Sequence, residues 1–253
     1  MDMNDIKKGG GKDMHDSLSF NQITLITDGL SNQGISPIEA ARRAYKKNII
    51  LNVVGITDNG DFNSKGKQEI EQIAKAGGGL SQIVPVEKIA KTVQMVTRTA
   101  INKTIQQVVQ FQLKELLCKD DISELQPLER LKVAEMMDNI SEHSKLKVLL
   151  LVDQSSSMVS KMEKVKEAIL DFQLSLKSRT GESSISIVTF PDETDFIKIR
   201  IPWTYEINQI ESLLYKIKPK GNTPTGPAIL AGLSYFGKID NKVKQGVLDE
   251  YII

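Results

Sequence analysis

Asp153-Gln154-Ser155-Ser156-Ser157 sets a carboxylate and two hydroxyls at alternate positions, directly after the apolar run 146–152. Small oxygen side chains on a loop leaving a strand can converge on one point above a sheet. Carboxylates and hydroxyls are hard donors, suited to Mg²⁺, Mn²⁺ or Ca²⁺ and not to zinc. Two further polar motifs carry the same chemistry. Thr27-Asp28-Gly29 also follows an apolar run, and Gly221-Asn222-Thr223-Pro224-Thr225-Gly226-Pro227 precedes a helical pattern. Mg²⁺ takes six oxygens at roughly 2.0–2.1 Å. Ser155, Ser157 and Thr225, with Asp153 and Asp28 reaching through waters, would leave one position open. A hydroxyl-rich shell neutralises the metal less than a cage of carboxylates does, so the metal keeps its attraction for an outside carboxylate.

Each motif also has a plainer reading. Asp and Ser routinely cap helices, and a helical pattern follows by Met162. Thr223 to Pro227 fits a helix cap with proline in the first turn, and Thr27 to Gly29 fits a turn after a strand. Asp58, Asn59 and Asp61 read as a solvated loop, His15 and His143 as solvent residues, and Trp203 as packing. Lys119 to Asp121 and Lys242 to Lys244 read as solvated faces, and Cys118 has no partner motif for nucleophilic catalysis.

The elements that must position the motifs alternate between strand and helix. Asn21–Thr27 and Ile49–Ile56 read as strands apolar on both faces, which suits a sheet covered on two sides. Ser36-Pro37-Ile38-Glu39 reads as a helix start, with Ser as cap, Pro at N1 and Glu at N3, and the helix runs to Lys47. A helix over Lys67–Ala76 ends at Gly77-Gly78-Gly79, and a short strand, Ser81–Val86, follows. Pro85 favours an edge position for that strand. Ile89, Val93, Val96, Ala100, Ile105, Val109, Leu113 and Leu116 lie close to one face of a long helix. A polar connector follows, with a helical stretch over Leu128–Ile140, then a strand over Leu146–Val152 and a helix over Met162–Lys177. Ser184–Phe190 and Phe196–Ile201 resemble a hairpin pair, and helices over Ile207–Ile217 and Pro227–Phe236 come last. Strands alternating with helices imply an α/β fold: a doubly wound, mostly parallel sheet with helices on both faces.

The 253 residues suffice for one large α/β domain or two small ones, and 40% hydrophobic with 26% charged residues is ordinary for a globular protein. A net charge of +1 argues against a nucleic-acid binder, and few aromatics leave no stacking platform for single strands. One cysteine excludes an intrachain disulfide and fits a reducing cytosol, so a cytoplasmic location is expected. The N-terminal stretch lacks the apolar core of a signal peptide, and no apolar run approaches the roughly 20 residues of a membrane helix. No G-x-S-x-G elbow, H-E-x-x-H or Walker A loop is present, so no enzyme activity is expected.

Together, Asp153-x-Ser155-x-Ser157, Thr225 and Thr27-Asp28-Gly29 resemble the metal-ion-dependent adhesion site (MIDAS) of von Willebrand factor type A domains. The glycine-rich Gly77 to Gly79 before a short strand is similar to the helix end ahead of that family's last strand. The chain is also loosely similar to the uncharacterised YabS-like proteins of spore-forming bacteria. The resemblance implies Ser155 and Ser157 as direct ligands. It implies Thr225 as a direct or water-mediated ligand, and Asp153 and Asp28 acting mainly through water or hydroxyl bonds. It implies Mg²⁺, with Mn²⁺ or Ca²⁺ possible, and a protein partner whose Asp or Glu carboxylate completes the coordination.

The departure from the family is the order of the motifs, which there runs from Asp-x-Ser-x-Ser to Thr-Asp-Gly. The expected layout is therefore circularly permuted. Residues 1–19 form a flexible arm, 20–117 the second half of the domain, 118–145 a helical connector and 146–253 the first half. The halves are expected to complete one domain within a monomer or between chains of a swapped dimer, with no nucleic-acid or membrane partner. Two further readings are a Mg²⁺-dependent phosphatase-type hydrolase using Asp28 and Asp153, and a metal-free structural adaptor for an ATPase complex.

Overall fold

The computed structural model describes residues 19–57, 64–117, 122–192, 195–205, 217 and 219–249, without the side chains of 111–117 and 238–249. The apolar runs become strands β1 (Ser19–Thr27), β2 (Ile49–Thr57), β4 (Lys145–Asp153) and β5 (Ser183–Phe190), each buried along most of its length. Strands β3 (Gly78–Pro85) and β6 (Lys198–Thr204) complete one six-stranded sheet in the order β3-β2-β1-β4-β5-β6. All neighbours pair parallel except β6, which runs antiparallel to β5. The fold is therefore the expected mostly parallel α/β sheet.

Helices cover both faces, as strands apolar on two sides demand. On one face, α3 (Ile89–Leu117), α4 (Pro127–His143) and α5 (Met162–Lys177) pack with Val93, Ile101, Val165 and Phe172 against Val148, Leu150 and Ile187. On the other, α1 (Pro37–Lys46), α2 (Ser64–Ala76) and α6 (Thr225–Asp249) bring Ala40, Ile70, Ile73 and Ile229 onto Ile23, Leu51 and Leu149. Trp203 of β6 packs, as expected, stacked on Tyr235 of α6 with centroids 6.0 Å apart and edge-on to Phe236 at 4.8 Å. The Lys147 ammonium lies 4.8 Å from the indole centroid.

The two halves of the chain meet at β1 and β4. Ile26 pairs with Val152, so Thr27-Asp28 and Asp153 leave the sheet level with each other. Chain progress runs outward from this seam in both directions. It is the point where strand order reverses and where open α/β sheets bind ligands, beyond the carboxyl ends of the strands.

Several boundaries differ from the sequence reading. Strand β3 starts at Gly78, three residues earlier than expected, because Gly77 and Gly79 lie so close to Leu51 that a Cβ at either would stand 2.6 or 2.2 Å from it. These glycines are thus strand-packing residues as well as a helix stop. Ser36 holds the cap position of α1 with Pro37 at its start, yet its side chain makes no capping hydrogen bond. Helix α6 begins at Thr225 rather than Pro227 and extends well past Phe236. Of the stripe on α3, Ile89 to Val109 is buried as expected, joined by Ile101. Leu113 and Leu116 fall among side chains outside the description, as do, in whole, the N-terminal arm before Ser19, His15, the 58–61 acidic group, Cys118 and most of the helix expected over Ile207–Ile217.

A polar relay ties β1, β2, β3 and α3 together. Gln22 Nε2 donates to the Thr97 carbonyl at 3.2 Å, Asn52 Nδ2 to Gln22 Oε1 at 3.0 Å, and the Leu80 amide to Asn52 Oδ1 at 3.0 Å. Removing the middle member strands the buried Gln22 side-chain carbonyl and the half-buried Leu80 amide, each costing desolvation of an unmade bond. Asn52→Ala is expected to lower unfolding stability by about 2–4 kcal/mol, measured by denaturant titration.

Candidate metal centre

Side chains 126 residues apart in sequence meet at the β1–β4 seam: Thr27 Oγ1 donates to Asp153 Oδ2 at 2.6 Å. The Ser155 amide donates to Asp153 Oδ1 at 2.7 Å, folding the loop back over the strand end. Asp153 is fully buried. Burial outweighs these two donors and the neighbouring Asp28 carboxylate adds to it, so the Asp153 carboxyl is pushed up to about 6.

After Ser155 the chain makes a 3-10 turn over Ser156–Met158. Ser155 Oγ and Ser157 Oγ stand 3.1 Å apart. The Ser157 hydroxyl donates to Asp28 Oδ1 at 2.7 Å, a second link between the halves. Asp28 Oδ2 takes the Lys161 ammonium at 3.0 Å, with side chains only 3% and 8% exposed respectively. Lys161 Nζ also donates to the Ser157 carbonyl at 3.1 Å. Removing one partner of so buried a pair costs about 3–5 kcal/mol.

The third motif is tied to both others. The Ser156 amide donates to the Gly221 carbonyl at 3.3 Å and the Lys220 amide to the Gln154 carbonyl at 2.7 Å. Thr223 exchanges bonds with Asn32 of the β1–α1 loop: its amide donates to Asn32 Oδ1 at 2.9 Å, and its carbonyl accepts from the Asn32 amide at 3.1 Å. Gly226 has no room for a side chain, since a Cβ there would lie 1.9 Å from the Ile35 carbonyl oxygen. Thr225 is buried and its Oγ1 has no hydrogen-bond partner among the described residues. A buried hydroxyl without a partner is a group left for something else to satisfy.

Asp28, Asp153, Ser155 and Ser157 are thus joined directly. Thr225 follows on the loop whose Gly221 carbonyl accepts the Ser156 amide, and its hydroxyl has no bond to the other four among the described residues. The donors are three hydroxyls and two carboxylates, a set that a hard divalent cation accepts. No group of three or more His, Cys, Asp or Glu that could hold a metal occurs among the described residues, so any metal here depends on serine and threonine oxygens. The sequence reading missed Lys161, whose partner Asp28 lies far away in the chain. It also missed the Gln154 side chain, held by Arg200 at 2.9 Å and bonded to the Pro191 carbonyl at 2.6 Å. His143, read as solvated, is exposed and at hydrogen-bond distance from the Asn139 carbonyl, away from this site.

This sheet, with its motif pair level across the central seam, defines an α/β domain of the von Willebrand factor A kind. A family model described as "von Willebrand factor type A domain" matches residues 148–248. The uncharacterised protein YabS of Bacillus subtilis (strain 168) is 40% identical over 224 residues, covering 88% of this chain and 91% of YabS. A second protein of that strain, YwmC, is 36% identical over 67 residues, 26% of this chain and 28% of YwmC. The crystal structure of an uncharacterised protein from Alicyclobacillus acidocaldarius subsp. acidocaldarius DSM 446 superposes with a TM-score of 0.82 at 36% identity, over 91% of this chain and 99% of that one. The chain belongs to one family with YabS, and its residues 148–248 carry the match to the von Willebrand factor type A domain.

The raised Asp153 carboxyl has a definite sign for stability. Below the unfolded value of 3.8 the proton is bound in both states. Between there and about 6 only the folded state keeps it, so the group's contribution is lost as pH rises through that window. The full swing is about 3 kcal/mol. The stability of Asp153→Asn relative to wild type, without metal, is expected to improve by up to that amount from pH 4 to pH 7, read from thermal unfolding across the range.

Proposed function

We propose that this protein is a divalent-cation-dependent protein–protein interaction module. In this reading Ser155, Ser157 and Thr225 hold Mg²⁺ through their hydroxyls, and Asp153 and Asp28 hold it mainly through water and hydroxyl bonds. An Asp or Glu carboxylate of the partner completes the coordination. The cation supplies a dense positive charge to attract that carboxylate. The chain's own part is to fix the hydroxyls and to keep its two carboxylates engaged by hydrogen bonds, Asp28 by Ser157 and Asp153 by Thr27 and Ser155. The observation that carries the reading is the joining of Asp28 to Ser157 at 2.7 Å across 129 residues of sequence.

A permuted layout belongs to the same reading: residues 20–117 as the second half, 146–253 as the first, with 118–145 between them. It is supported by a family match over residues 148–248 while β1, β2 and β3 lie outside that match and complete the same sheet. Among the described residues no helix is long and apolar enough to cross a membrane. The cytoplasmic setting of this reading rests on cysteine content. An enzyme reading has less behind it. Asp153 is engaged by Thr27 and Ser155, and Asp28 by Ser157 and Lys161, so neither carboxylate stands ready as a base.

Calorimetric titration with Mg²⁺ and Mn²⁺ tests the proposal. Asp28→Ala and Asp153→Asn are each expected to weaken binding by about 10- to 100-fold while circular dichroism stays native. Wild-type affinity in either variant sinks the shared site.

A further inference from the structure

Lys161 is a lysine with an 8% exposed side chain, set one carboxylate away from the hydroxyl of Ser157. Buried lysines require compensation, and here Asp28 supplies it. The pair is not an accident of a mobile surface, because Lys161 Nζ is also anchored on the Ser157 carbonyl and Asp28 on the Ser157 hydroxyl. Both groups therefore close a ring through Ser157, a residue of the metal centre as read above.

We propose that Lys161 is a built-in cation that claims Asp28 and keeps the site's affinity for metal low until an outside carboxylate arrives. The inference rests on the metal-centre reading and adds a control to it. With Asp28 already answered by Lys161, Asp153 alone is left to balance a divalent ion. The loaded site then carries net positive charge beside the Lys161 and Asp153 side chains, which are held out of water, and there like charges repel more strongly than in water. An anion from a partner removes that excess. Metal and partner thus bind as a coupled pair, each raising the affinity for the other by the same factor. The arrangement rejects spurious metal loading and makes the cation's attraction for a carboxylate stronger than the hydroxyl ligands alone provide.

Metal affinity of Lys161 variants decides it, with Mg²⁺ alone as the probe. Lys161→Met keeps the stem's packing and removes the charge, and is expected to bind Mg²⁺ at least about tenfold more tightly than wild type. Lys161→Arg retains the charge and is expected to stay within about threefold of wild type. Asp28, freed of its lysine, also makes the Lys161→Met fold dependent on the cation, so its melting temperature is expected to rise more steeply with Mg²⁺ than that of wild type. Wild type that binds Mg²⁺ while Lys161→Met binds no more tightly overturns this inference and leaves the proposed function standing. Binding by Lys161→Met alone supports the inference and counts against metal uptake by the native site without a partner. Failure of Lys161→Met to fold that millimolar Mg²⁺ does not repair overturns it, as does equal tightening by Lys161→Arg.

Discussion

Everything at the functional end of this molecule depends on two strands lying side by side in register. Once Ile26 sits beside Val152, the residues that follow must emerge level with each other, and the two acidic motifs share one patch of space. Sheet hydrogen bonds fix that placement to within a fraction of a residue, because a slip of one position would turn both strands' buried sets inside out. The two polar links across the seam, Thr27 to Asp153 and Ser157 to Asp28, are then short because the strands leave them no freedom. The chemistry of the site is in this sense a by-product of core packing one layer below it.

The same placement works against stability. Asp153 is wholly out of water, and Asp28 and Lys161 are almost so. Charges so held cost free energy that well-packed apolar groups would not. Nearby elements hold them there by close packing and hydrogen bonds. Gly226 yields its side chain to Ile35, Thr223 and Asn32 brace the third loop, and the Gln154 side chain is clamped beneath Arg200. Under the proposed metal reading, such bracing holds the hydroxyls where a cation would need them.

Much of this was legible in the residues. Runs apolar on both faces, such as Ile49–Ile56, gave away a sheet covered on two sides. The sharp breaks at Asp28 and Asp153 marked where the chain turns away from it. Met162–Lys177 was readable to the residue because its apolar spacing begins and ends cleanly. The start of β3 was not, since glycine carries no pattern and its role came from the closeness of Leu51, a residue distant in sequence. Lys161 was hidden for a related reason. A lysine in a lysine-rich helix looks solvated, and only the strand register shows that Asp28 waits beside it. Thr225 lay between these cases: its type and loop were visible, while its unpartnered hydroxyl is a property of the folded surroundings alone.

The aromatic cluster at the far edge of the sheet has a use of its own. Trp203 is the single tryptophan in the chain, and it rests on Tyr235 and Phe236 of the helix whose first residue is Thr225. Indole emission is sensitive to the rings and the ammonium packed around it, so the molecule carries an intrinsic optical gauge of how that helix is seated. A shift of the helix relative to β6, whatever sets it off, becomes visible in unlabelled protein as a change in colour or brightness.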